Sequence, residues 1–280
     1  MRTFSRGLTV LACLALILPA WAGIPSSTPP RRAPGAAKPV VPATKQPPAP
    51  RAALRVVNYD LQGPKGPLSA DQYSEIKALV TYLEPDILAL HNVQRSAGDA
   101  AGKPLAKIAA SLDMYYAFQP LTDTLGSALL TKHPISKATY LAEQSGAAMG
   151  MQVTVGAGGQ SYLLLVVRPP NPAISREATQ VVASAITAAP AERQLVLASF
   201  SPGAAIGGAL KAWSKAGLAD PGTGRRGPSV ATYPAEKPKE RLDFIMVSRD
   251  LLAGARYEVV RVRRFEKLSS HLPVQITVPR

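Results

Sequence analysis

Cysteine occurs once in these 280 residues, as Cys13, so one chain can build neither a disulfide framework nor a cysteine-based metal site. Histidine is almost as scarce. His91 and His133 have no metal-ligand spacing to any other histidine, and packing or surface roles are enough to account for them. Acidic residues number 18 against 32 Lys and Arg, which leaves few carboxylates for chemistry that depends on clustered acids. Aromatics make up only 6% of the chain and do not interleave with the basic residues, as single-strand nucleic-acid binding requires. No nucleophile elbow, no phosphate-binding Gly-Lys-Ser/Thr loop and no internal repeat is present. What the sequence does have is 46% hydrophobic residues, enough for a full core in one or two domains, and a run of prolines near its start.

Residues 1–22 read as a secretory signal. Arg2 and Arg6 form the charged start, Leu8–Leu18 the apolar run and Ala20-Trp21-Ala22 an Ala-x-Ala cleavage site. The run is short for a bilayer span, so no transmembrane segment is expected in the mature chain. Val10-Leu11-Ala12-Cys13 is a weaker match to a lipoprotein signal, because few apolar residues precede the cysteine. Cleavage would remove the only thiol, and the expected location is secreted or periplasmic. Residues 23–53 combine Pro, Ala and Ser with Arg31, Arg32, Lys38, Lys45 and Arg51, the composition of an extended, disordered basic tether. Seven of the basic residues and none of the acidic ones fall in residues 1–53, so residues 54–280 carry about +7 of the +14 net charge.

From Leu54 onward, strand-like and helix-like stretches alternate. Leu54–Tyr59 reads as a strand and Ser69 as the N-cap of a helix that ends before Pro85. Ile87–Val93 reads as a buried strand, and a helix is expected near 103–112. Strands follow near 114–119 and 126–131, then a hairpin turns at Gly156–Gly159 into Tyr162–Val167. Residues 174–188 and 204–216 read as helices, with Gln194–Ser201 as an apolar strand between them. Strands are expected again at 241–248, 256–264 and 273–278, with Arg261 and Arg263 sharing one face. Hairpins within a helix-strand alternation exclude a purely parallel sheet and favour two packed β-sheets with helices outside, an α/β (α+β) sandwich.

Five segments carry a resemblance in a fixed order: Leu54 to Gly63, Pro85 to Val93, Gly126 to Ile135 (Gly-Ser-Ala-Leu-Leu-Thr-Lys-His-Pro-Ile), Arg241-Leu242-Asp243-Phe244-Ile245 and Ser269-Ser270-His271-Leu272-Pro273-Val274. With Ala231-Thr232-Tyr233-Pro234 before the fourth, they resemble the endonuclease/exonuclease/phosphatase family over nearly all of residues 54–279. The resemblance implies a four-layered sandwich, two mixed sheets flanked by helices, with the site at one sheet edge. It also implies a divalent cation on oxygen ligands and a His beside the scissile phosphate.

The acidic positions depart from that pattern. Asp60 stands where members carry Asn, and Asn92, after His91, stands where they carry the metal-binding Glu. Ala198-Ser199-Phe200-Ser201 replaces Gly-Asp-Phe-Asn, Ser269-Ser270-His271 replaces Ser-Asp-His, and Arg168-Pro169 replaces Thr-His. Asp243 and His271 match as a carboxylate–imidazole dyad, catalytic in the family or purely structural here. Asp60 with Asn92 is the candidate metal pair, and Ser199, Ser201 and Ser270 are degenerate positions. Ser270 and His271, adjacent on an extended chain, point apart and make no nucleophile pair. Arg225, Arg226, Lys237, Lys239 and Arg241 lie in the segment leading to Asp243 and are candidates for holding an anion.

The expectation is an exported, catalytically degenerate protein of this fold that binds a phosphate-type anion or an envelope protein and needs no cofactor. One alternative is an active Mg²⁺- or Mn²⁺-dependent phosphodiesterase or nuclease with a remodelled metal site. Another is a tethered envelope-interaction module. Nucleic acid as a partner is not excluded.

Overall fold

The computed structural model describes residues 53–63, 66–67, 73–95, 102–169, 174–190, 192–223 and 230–280. The signal, most of the tether, Ser69, Arg225 and Arg226 lie outside the described residues. Period-two alternation in the first strand, β1 (Ala53–Asp60), already separates the layers. Leu54 and Val56 enter one apolar cluster and Val57 and Tyr59 another, so Asn58 and Asp60 continue the face of Leu54 and Val56.

A two-residue pair follows, β2 (Gln62–Gly63) with β3 (Gly66–Pro67). The chain then forms α1 (Tyr73–Leu83), β4 (Ile87–Gln94), α2 (Lys103–Ser111), β5 (Tyr115–Pro120), β6 (Leu125–Thr131), β7 (Ile135–Ala142), β8 (Ala148–Ala157) and β9 (Gln160–Val167). The second half contributes α3 (Arg176–Thr187), β10 (Arg193–Ser199), α4 (Gly207–Lys215), β11 (Leu218–Ala219), β12 (Asp243–Ser248), α5 (Arg249–Leu252), β13 (Arg256–Val259), α6 (Arg263–Glu266) and β14 (Val274–Pro279).

Two six-stranded sheets result, in the orders β13-β14-β1-β4-β6-β5 and β11-β12-β10-β9-β8-β7. Each is mixed, because β1 runs parallel to β4 and β9 parallel to β10 while their other neighbours are antiparallel. The core between the sheets joins Leu54, Ile87 and Leu129 to Leu164, Leu197 and Ile245. Outside the first sheet, Ile76 and Leu79 of α1 and Leu105 of α2 cover Val57, Leu88 and Leu90. Outside the second, Val182 of α3 and Trp213 of α4 cover Leu165, Val196 and Phe244. Helix, sheet, sheet, helix is the four-layered arrangement expected from the sequence.

The β8–β9 hairpin turns at Gly158 and Gly159, both at positive φ (59° and 77°), a conformation suited to glycine and to a two-residue hairpin connection. One local expectation fails, and one strand had no expectation at all. The strand near 256–264 ends at Val259 and gives way to the single-turn helix α6, so Arg261 and Arg263 do not share a strand face. The edge strand β7 carries mostly exposed or half-buried residues, so it lacked the apolar run by which the other strands could be recognised.

Candidate functional site

Alternation that buries leucine and valine along most of each strand buries polar residues at one end of the sandwich. Asn58 and Asp60 of β1, His91 of β4, Ser127 of β6, Ser199 of β10, Asp243 of β12 and Arg168 just after β9 are all buried in the same region as His271. Asn58 crosses between the sheets, its side-chain amide donating to the carbonyls of Ala198 (2.9 Å) and Phe244 (3.2 Å). Its Oδ1 lies 2.7 Å from His91 Nε2, and the Ser127 hydroxyl is 3.4 Å from His91 Nδ1.

Asp60 is the hub. Its Oδ1 accepts from the Gln62 backbone N–H (2.9 Å) and from Asn92 Nδ2 (2.7 Å). Its Oδ2 accepts from the Ser199 hydroxyl (2.7 Å) and Arg168 Nε (3.1 Å). The two candidate metal residues are therefore together, but bonded to each other. Asn92 sits at φ 54° beside the irregularity in β4 between Leu90 and Val93, and this break in the pleat accompanies the amide's contact with Asp60. Arg168 also donates from Nη1 to Ser201 Oγ (3.1 Å) and to the Pro169 carbonyl (3.3 Å). Ser199 and Ser201 thus clasp an internal ion pair. Ser270 donates to the Gln62 carbonyl (2.6 Å), and Ser269 to the carbonyl of Asp60 (2.7 Å), which ties the chain before His271 to the end of β1.

The dyad forms as expected, with His271 Nδ1 2.9 Å from Asp243 Oδ2 and both residues buried. Tyr233 lies against the imidazole, ring centroids 5.1 Å apart. Burial alone would favour the neutral ring, but Asp243, with Asp60 behind it, outweighs burial and pushes His271 up to about 9. The balance favours the charged ring. His91 shows the opposite balance, since burial outweighs the pull of Asp60 and lowers it to about 4. Burial also opposes ionisation of Asp60, yet His271, Arg168, His91 and the Ser199 hydroxyl hold its carboxyl well below the usual range. Two polar atoms of the dyad, His271 Nε2 and Asp243 Oδ1, are buried without a hydrogen-bond partner.

The anion-binding candidates separate. Arg241 is bidentate to Asp220, at 2.6 and 2.7 Å, and its guanidinium lies over the rings of Phe244 (4.4 Å) and Tyr257 (4.9 Å). An arginine so held on aromatic faces is a packing element, which corrects its assignment to the anion-binding rim. Lys237 and Lys239 are exposed. Their segment is fixed to the His271 strand by Ala235 N–H donating to the Ser270 carbonyl and Leu272 N–H to that of Thr232, each at 2.8 Å.

The sequence showed Arg168 only as a departure from the family pattern and His91 only as a packing or surface residue. It linked neither to its partner across the strands, Asp60 for Arg168 and Asn58 for His91. Period two gives both away: Arg168 continues the Leu164–Val166 face and His91 the Ile87–Ala89 face, each pointing into the space between the sheets.

One ligand atom each from Asp60, Asp243 and His271 lie within 4.8 Å of one another, close enough to meet on a single metal ion. The donor chemistry does not fit a divalent cation. Each Asp60 oxygen already accepts two hydrogen bonds, and one of the four donors is a buried guanidinium. Arg168 already supplies the positive charge beside Asp60, so an added Mg²⁺ or Mn²⁺ would be set against a buried guanidinium.

No family model matches the sequence, and no curated protein matches it. Solved structures do match. An endonuclease/exonuclease/phosphatase family protein from Leptotrichia buccalis superposes with a TM-score of 0.64 at 15% identity, over 81% of this chain and 100% of that one. A 3′ phosphatase from Neisseria, bound to product DNA hairpin, gives 0.63 at 13% identity, over 80% and 98%. An AP endonuclease from Archaeoglobus fulgidus gives 0.56 at 12%, over 80% and 98%. With its two mixed sheets, its flanking helices and these superpositions, the chain has the fold of the endonuclease/exonuclease/phosphatase proteins.

Proposed function

We propose that this is an exported, non-hydrolysing protein of that fold, whose surface beside the His271 segment serves to bind an anionic, phosphate-type ligand. The observation that carries the reading is the saturation of Asp60. The residues that would have to hold a catalytic cation are bonded instead to Arg168, Ser199, Asn92 and the Gln62 amide. With Asp60 saturated, the groups left for a ligand are donors, the exposed ammonium groups of Lys237 and Lys239, whose segment is hydrogen-bonded to that of His271. Cations suit a phosphate group as a partner. Export rests on residues 1–22, whose charged start, apolar run and Ala-x-Ala site have the form of a secretory signal. Among the described residues no helix is long and apolar enough to cross a membrane.

The second reading, a metal-dependent phosphodiesterase, is favoured by the proximity of Asp60, Asp243 and His271. One set of measurements separates the two. Mg²⁺ and Mn²⁺ titrated calorimetrically into the full chain should give no stoichiometric binding, and an aryl phosphodiester and a DNA hairpin should not be hydrolysed in either metal. Inorganic phosphate should bind the wild type, and the Lys237→Ala/Lys239→Ala variant should bind it more weakly. Chelator-sensitive hydrolysis that disappears in His271→Ala would establish the enzyme instead.

A further inference from the structure

We propose that Arg168 is the resident cation of this centre: its guanidinium takes the place beside Asp60 that a metal ion needs, and removing it turns Asp60, Asp243 and His271 into a transition-metal site. The inference rests on the non-hydrolytic reading above and deepens it by naming the side chain that keeps metal out.

Three observations converge on Arg168. The first is its position. It is buried, its Nε bonds to Asp60 Oδ2 at 3.1 Å, and its Nη1 is fixed by Ser201 and the Pro169 carbonyl, so the positive charge is aimed at the carboxylate and held there. The second is geometric. The ligand atoms of Asp60, Asp243 and His271 already lie within 4.8 Å of one another, so bringing them onto one ion needs small shifts rather than a rearrangement of the sheets. The third is the pair of orphaned atoms. Asp243 Oδ1 and His271 Nε2 are buried and have no protein partner, an expensive state for polar atoms unless something else satisfies them.

Without the guanidinium, Asp60 would lose its cation in a buried centre it shares with Asp243 and His271, and a metal ion would supply the charge that Arg168 had supplied. Two oxygens and one imidazole nitrogen suit Mn²⁺ or Zn²⁺ better than Mg²⁺, which prefers oxygen and keeps its waters.

The test titrates Mn²⁺ alone into the full-length wild type, Arg168→Gln, Arg168→Ala and the double variant Arg168→Gln/Asp60→Asn. Free Mn²⁺ is read by its paramagnetic resonance signal and stability by thermal unfolding. The expected result is one equivalent of Mn²⁺ bound by each Arg168 single variant, with a higher midpoint in Mn²⁺, and no such binding by the wild type or the double variant. Stoichiometric binding by the wild type, no binding by the folded single variants, or binding that survives Asp60→Asn would each overturn the inference. If neither single variant folds alone, refolding in Mn²⁺ decides, recovery of the folded state supporting the inference and its failure overturning it. Hydrolysis by the wild type would instead sink the non-hydrolytic reading, so the two failures are distinguishable.

Discussion

Asp60→Ala is expected to lower folding stability by about 3–5 kcal/mol, the range for breaking a buried ion pair from one side. The loss goes beyond the pair itself. Truncation leaves the Arg168 guanidinium buried and uncompensated, and strips an acceptor from the Ser199 hydroxyl, the Asn92 amide and the Gln62 N–H. Each orphaned donor adds a desolvation penalty of its own. The same reasoning fixes the sign of the coupling with Arg168. Once Asp60 is gone, replacing Arg168 with a neutral residue relieves an unpaired charge, so the double variant should be less destabilised than the sum of the singles by about 1–3 kcal/mol. Urea unfolding of the four proteins completes the cycle. Additive losses would mean that Asp60 and Arg168 are not energetically paired, and the resident-cation inference would fall with that result.

The second large effect is on the pH dependence of stability, where two buried histidines pull in opposite directions. His271 has its folded pKa raised from 6.5 to about 9. Its contribution is therefore fully present below pH 6.5 and is lost as pH rises through about 9. Two and a half pKa units correspond to roughly 3 kcal/mol. His91 is lowered from 6.5 to about 4, so the folded state resists a proton that the unfolded chain accepts. Stability is whole above pH 6.5 and falls by a similar amount, roughly 3 kcal/mol, as pH drops toward 4. The charged groups that set these shifts are shared: His271 responds to Asp243, Asp60 and Arg168, and His91 to Asp60, Arg168, Asp243 and His271. The wild type should be most stable near pH 6.5. His271→Gln should flatten the alkaline limb and His91→Gln the acidic one, both read from unfolding midpoints between pH 4 and 10. A His271→Gln variant that keeps the full alkaline loss would show that the dyad is not charged in the folded state.

Much of the fold was legible as pattern. Apolar runs such as Tyr162–Val167 and Ile87–Leu90, helical spacing in residues 73–83 and the glycines at 158 and 159 each carry a local signal, and each element stands within a few residues of its expected place. The strand β7 was not legible, because its residues are largely exposed and offer no buried periodicity. The one-turn helix α6 was hidden for a different reason: four residues are too few for a helical period to register.

The candidate site was legible only in its ends. Asp243 with His271 and Asp60 with Asn92 were named as pairs, and both pairs meet in space. Arg168 was visible as a departure from the family pattern, but its partner lies 108 residues away, and no local signal links residues so distant. Arg241 looked like a cation on a rim until Asp220, Phe244 and Tyr257 were seen to enclose it. A side chain's charge is a property of the residue, whereas its availability depends on what packs against it. By itself the sequence determined the layers, because alternation and helical spacing are local properties of the chain. Only the tertiary structure decided which charges cancel, because pairing depends on distance in space between strands that the sequence keeps far apart.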